Sequence, residues 1–184
     1  MDYEKLFHDM HPGFFRDAHI RNLPEDWIYT ELVMDLRTET PKEVPYGYPE
    51  NITFGAYSGS LETIREIVRN VEDGWVPFFD GTCRIYCAFD KDKIASFCIL
   101  DDWGVHDHLR IGGPGCVGTL PEYRKRGIGL EMVRRATEIL KEDDFDLSWI
   151  HYTHVGPWYE KLGYQTVLSW NKNGPLGTGS VVHF

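Results

Sequence analysis

Apolar and polar positions follow two rhythms along this chain, and the change from one to the other marks its elements. A period of two with branched and aromatic side chains predicts strands over Ile52 to Tyr57, Arg84 to Phe89 and Lys93 to Leu100. The last two are joined by Asp90-Lys91-Asp92, a hairpin turn. Asp101 and Asp102 end the second of them, and Gly104 to Arg110 reads as a polar loop. A helical period sets Leu61, Ile64, Ile67, Val68 and Val71 on one face, with Ser58 or Ser60 as the cap. The same period turns Met132, Val133, Ala136, Ile139 and Leu140 inward on a helix over Leu130 to Lys141. Leu147 to Tyr152 reads as a buried strand, Val155 to Leu162 as a short helix and Tyr164 to Trp170 as a closing strand.

Strands and helices alternate in the second half and a hairpin occupies the first, which predicts an α/β protein (an α+β mixed sheet) flanked by helices. Residues 1–45 read as an N-terminal extension packed on the domain, its near-alternating run Ile28 to Leu36 forming an extra strand. Homodimerisation is the other use of that strand. Residues 46–184 then form a single globular unit, with a glycine-rich, poorly patterned end from Asn171 to Phe184 that is expected to fray.

The densest chemical signal lies between a strand over Cys116 to Leu120, fed by Ile111-Gly112-Gly113-Pro114-Gly115, and the helix after it. Three glycines in four residues predict a bulge or a close approach of ligand to backbone. Arg124, Gly127 and Gly129 then stand as Arg-x-x-Gly-x-Gly at the start of the helix, so successive N–H groups and the helix dipole face one point. Glycine suits such a turn because a Cβ would keep a diphosphate from the amides. A dinucleotide fingerprint needs a third glycine where Met132 stands, and no Gly-Lys-Ser or Gly-Lys-Thr triplet is present for a nucleoside triphosphate.

With Thr119-Leu120-Pro121 ahead of it, the turn resembles the acetyl-CoA loop of the GNAT superfamily of N-acetyltransferases. Downstream, Trp158-Tyr159-Glu160-Lys161-Leu162-Gly163-Tyr164 is similar to that superfamily's Tyr-Glu-Lys-Leu-Gly-Phe signature. The resemblance covers about residues 50 to 170. It implies that acetyl-CoA is the co-substrate, bound by Val117, Gly118, Thr119, Arg124, Lys125, Arg126, Gly127, Ile128, Gly129 and Leu130, and that Tyr159 protonates the departing thiolate. It also implies a bulged strand splayed from its neighbour, with the pantetheine arm in the gap. Many relatives bond that arm with an asparagine before the tyrosine; Thr153 stands in the interval here. An ordinary phenol, with a pKa near ~10, is a proton donor at neutral pH and is matched to a thiol; without the upstream turn Tyr159 would read as one more core aromatic.

A net charge of −10 over 184 residues, 42% of them hydrophobic and 14% aromatic, predicts a folded chain with no nucleic-acid partner. Arg124, Lys125 and Arg126 are the main basic cluster and suit a small polyphosphate. No apolar run approaches a membrane span and Met1 to Met10 lacks a signal pattern, so a cytoplasmic protein without a membrane partner is expected. Cys83, Cys87, Cys98 and Cys116 match no zinc knuckle and read as reduced core thiols. No metal is expected: His106-Asp107-His108 lacks a third ligand and reads as solvated surface.

Acetyl transfer to an amine needs a proton acceptor as well as a donor. The strand Gly112 to Val117 offers no ionisable group, which leaves Asp101, Asp102, His106, Asp107, His108, His151, His154 or a water relay. Two functional readings follow. One is transfer from acetyl-CoA to a primary amine, on a small molecule or a peptide, by direct attack in a ternary complex. The other is a non-catalytic acyl-CoA-binding regulatory or interaction module.

Overall fold

Asp2 caps the first helix by accepting the Lys5 N–H at 2.9 Å, and α1 (Tyr3–Met10) then buries Leu6 and Phe7. This computed structural model describes residues 1–176; of the stretch from Asn171 to Phe184 that is expected to fray, 171–176 are described and the rest lies outside the described residues. A 3-10 turn at Phe14–Arg16 and α2 (Ala18–Arg21) lead to β1 (Tyr29–Asp35). β2 (Ile52–Ala56) follows, then α3 (Leu61–Arg69), capped by the Ser60 hydroxyl on the Thr63 N–H at 3.1 Å. The central run is β3 (Arg84–Asp90), β4 (Lys93–His106), β5 (Leu109–Thr119), α4 (Ile128–Glu142) and β6 (Leu147–Thr153). α5 (Gly156–Glu160), β7 (Gln165–Asn171) and β8 (Gly174–Pro175) complete it.

The strands form one mixed sheet in the order β2-β3-β4-β5-β6-β1-β7-β8, antiparallel except for β5 and β6, which α4 connects as a parallel crossover. One face carries α4 and α5 over Leu32, Met34 and Ile150. The other carries α1 over Val33, Trp149 and Trp170, and α3 over Phe97 and Ile99.

Two expectations need correction. The segment Gly104 to Arg110 is not a loop: β4 runs on past Asp101 and Asp102 to His106, and only Asp107 and His108 turn, both with positive φ of 49° and 65°. A two-residue turn of that hand matches strand twist, and Gly104 absorbs a register shift, so polar residues are carried into a long hairpin. The strand expected at Ile28 to Leu36 is more than an addition to the domain. β1 pairs with β6 on one side and β7 on the other, and its side chains are buried on both faces, as an interior strand requires.

β5 and β6 pair only at Ile111 with Leu147 and Gly112 with Ser148. Beyond that level Cys116 takes a φ of +47°, and the register with β4 shifts between Phe97 and Ile99. This bulge sits one residue past the glycine run, and β5 and β6 are unpaired beyond Gly112 and Ser148, which leaves a slot between them.

Candidate active site

The basic turn owes its shape to two left-handed residues, Lys125 at φ 60° and Gly127 at φ 76°. Gly127 is the N-cap of α4 and has no side chain to cap with, so the N–H groups of Ile128, Gly129 and Leu130 lack acceptors; Glu131 is the first to bond back, to the Gly127 carbonyl at 3.1 Å. Glu131 itself is paired with Arg134 and Arg135, both at 2.7 Å, so its charge does not cancel the positive helix end. Arg124 is held by its Nε on the Thr119 carbonyl at 3.0 Å. A cavity of about 460 Å³ lies over this turn, lined by Thr119 and residues 124–130 and walled by Tyr46, Tyr123 and Trp158.

Both glycines do more than admit a ligand. A Cβ on Gly129 would come within 2.7 Å of the Thr119 hydroxyl, and one on Gly127 within 2.8 Å of the Gly47 carbonyl. The first glycine in this pair of contacts therefore seats α4 on β5, and the second lets the loop at Tyr46 and Gly47 close over the turn.

The other candidates do not line this cavity. Val117 faces α4, the Gly118 carbonyl accepts the Ser96 hydroxyl at 2.6 Å, and Thr153 is buried with its Oγ1 accepting the Val155 N–H at 3.2 Å. Tyr159 is only 6% exposed and packs on α4's face of the sheet. Burial pushes its phenol well above the ordinary value, with Tyr164, Cys98 and Cys116 adding to the shift. The expectation of an ordinary phenol is thus corrected, since dry surroundings disfavour the phenolate.

On the opposite face, β4 supplies the carboxylate that β5 lacks. Asp101 lies against Gly115, filling the space a Cβ would take there. Burial pushes it up to about 6, and His151 pulls in the other direction. The remaining base candidates are engaged or remote: Asp102 pairs with Arg110 at 2.9 Å, His106 Nε2 meets the Trp103 carbonyl at 2.8 Å, Asp107 and His108 sit at the hairpin tip, and His154 is exposed. No group of three or more metal-ligating side chains occurs among the described residues. Burial pushes the Cys116 thiol up to about 12, which leaves little thiolate for an acyl-cysteine.

Sequence reasoning missed Glu31. It is fully buried in β1, and its carboxylate accepts from Trp149 Nε1 at 2.7 Å, Trp170 Nε1 at 2.8 Å and the Tyr152 N–H at 3.1 Å, with His151 Nδ1 at 2.9 Å. The available signal was a single acid inside an otherwise apolar strand, which must find donors to be buried.

Residues 81–166 match the family model of the acetyltransferase (GNAT) domain. No curated protein sequence matches the chain. Among solved structures, it is similar to the GCN5-related glucosamine N-acetyltransferase region of a fungal multi-domain GH3 β-N-acetylglucosaminidase, with TM-score 0.64 and 21% identity over 79% of this chain and 20% of that one. It is also similar to a GCN5-related N-acetyltransferase from Kribbella flavida (TM-score 0.56, 17% identity, 84% and 60% covered). A third, from Sphaerobacter thermophilus, gives TM-score 0.56 and 15% identity over 77% and 49%. The chain therefore spans from a fifth to three fifths of these solved chains, and the likeness shows the fold. No helix among the described residues is long and apolar enough to cross a membrane. Taken with the glycine turn, the bulged strand and the mixed sheet, the match identifies residues 81–166 of this chain as a GNAT acetyltransferase domain.

Proposed function

We propose that the protein transfers the acetyl group of acetyl-CoA to a primary amine by direct attack in a ternary complex. The observation that carries this reading is the uncapped start of α4, three free N–H groups ringed by Arg124, Lys125 and Arg126 under a cavity large enough for a nucleotide. These groups fit a pyrophosphate: the amides of Ile128 to Leu130 would hold it, and the slot between β5 and β6 would take the pantetheine arm. When bound, acetyl-CoA supplies an activated thioester. Tyr159, kept protonated by burial on the α4 side of the slot, donates to the departing sulfur.

Calorimetry with CoA, followed by thiol release and product formation from acetyl-CoA over a panel of phenethylamine, putrescine, glucosamine and a lysine-bearing peptide, tests the reading. Glucosamine is included because the fungal relative is described as acting on it. CoA binding with no acetylated product from any amine would leave a binding module and overturn the enzyme.

A further inference from the structure

His151 and Gly115 lie at the same level of the slot: each is three residues beyond the last paired position, Ser148 on β6 and Gly112 on β5. They also share a face. Side chains alternate along β6, so His151 points the way of Leu147 and Trp149, toward α1 and away from α4. Gly115 faces the same side as Ile111, and the Asp101 carboxylate lies over it. Tyr159 is on the other face.

The hydrogen bonds fix the proton on the histidine. Glu31 already accepts three N–H donors, two of them indoles that can do nothing but donate, so it sits as an acceptor-only carboxylate. His151 Nδ1 must then carry the hydrogen it shares with Glu31, so Nε2 is the nitrogen left to exchange a proton and holds the lone pair whenever the ring is unprotonated. His11 stacks on this ring at 4.1 Å and 14°, locking its plane, and the His151 side chain retains 22% exposure. His11 adds a second sign of a missing ligand: its Nε2 is buried and has no hydrogen-bond partner among the described residues.

We propose that His151, oriented by Glu31, takes the proton of an incoming ammonium group at Nε2, with Asp101 as the counter-charge that draws the cation to the level of Gly115. The inference rests on the transferase reading above. Atoms balance as follows: the ammonium gives one proton to His151, and the freed amine lone pair forms the C–N bond to the thioester carbonyl carbon. The C–S bond breaks, Tyr159 gives its proton to the sulfur and regains one from the acylated nitrogen, and His151 returns its proton to solvent. Glu31 is a positioning residue, since it meets the amine only through the imidazole.

The test compares a protonated acceptor with one that needs no base. Native protein and His151→Gln are assayed with the best amine of the panel and with hydroxylamine, which is unprotonated at neutral pH, above the uncatalysed background. The expected result is a kcat/KM lower by about 10²–10⁴-fold for the protonated amine, a change under about tenfold for hydroxylamine, and unchanged CoA affinity by calorimetry. Equal losses with both acceptors, or no loss, would overturn the assignment. If the native protein acetylates neither, the transferase reading falls and the proposal with it. Should the variant fail to fold, nitrogen NMR of the native protein decides: the Nδ1–H tautomer at His151 supports the proposal and the Nε2–H tautomer sinks it.

Discussion

The turn at residues 124–130 and the cluster around Glu31 are opposites in construction. The turn is short in sequence, open to solvent, and works through backbone N–H groups left without acceptors. The cluster draws on α1, β1, β4, β6 and β7, is buried, and works through side chains whose polar atoms are almost all paired. One region waits for a ligand to complete its bonds, whereas the other has completed them in order to hold one imidazole. The contrast predicts that changes at the turn register mainly as binding, and changes at the cluster as stability and proton chemistry.

Tyr159 stands between the two and gives the largest expected effect. Tyr159→Phe keeps the ring in its core site but removes the proton, so kcat should fall by about 10²–10⁴-fold while CoA affinity stays near native. Pre-steady-state kinetics would show whether chemistry limits the rate, and full kcat under that condition would leave solvent as the donor. Next comes Glu31→Ala, which strands two indole N–H groups, a backbone N–H and His151 Nδ1 in a dry site. Urea unfolding should show a loss of about 3–5 kcal/mol. A loss under about 1 kcal/mol would mean that water replaces the carboxylate and that the cluster is not the closed network described.

The same contrast explains what could be read from the chain alone. Arg124, Gly127 and Gly129 form a local pattern whose backbone geometry follows from a few adjacent residues, and the helix that begins there carries an unambiguous apolar face. Glu31 meets Trp149 and Trp170 across 118 and 139 residues, and nothing near Glu31 in sequence signals either partner. Asp101 was among the base candidates, but its placement over Gly115 depends on the pairing of β4 with β5, and the strand was expected to end at that very residue. The interior position of β1 was hidden for a similar reason: alternation within one strand does not tell which strands flank it. α1 escaped because two helical turns are too few to establish a period.

Gly129→Val sharpens the comparison from the turn's side. A diphosphate cradle alone would predict a pure binding defect. The 2.7 Å approach of a Cβ to the Thr119 hydroxyl predicts a packing defect as well, about 1–3 kcal/mol, alongside weaker CoA binding. Thermal melts with and without CoA separate the two parts. A variant with native stability and lost affinity would return this glycine to a ligand-only role.

The smallest effect concerns Asp101, and its sign depends on pH. Its carboxyl is raised from 3.8 to about 6, first by burial, with His151 on β6 opposing the shift. Cys116 on β5 also faces it, and burial keeps its thiol protonated. Because the folded state binds this proton more tightly than the unfolded chain, the favourable contribution is complete below 3.8 and is lost as pH rises through about 6. Asparagine resembles the neutral acid and does not titrate. Asp101→Asn should therefore match the native protein near about pH 4 and exceed its stability by about 1–2 kcal/mol near about pH 8, a figure reduced from the full shift because the side chain keeps some contact with water. Paired urea titrations at the two pH values measure the difference directly. Equal stability at the higher pH would mean that the charge is already compensated in the folded protein, and the ammonium would then gain nothing by meeting Asp101.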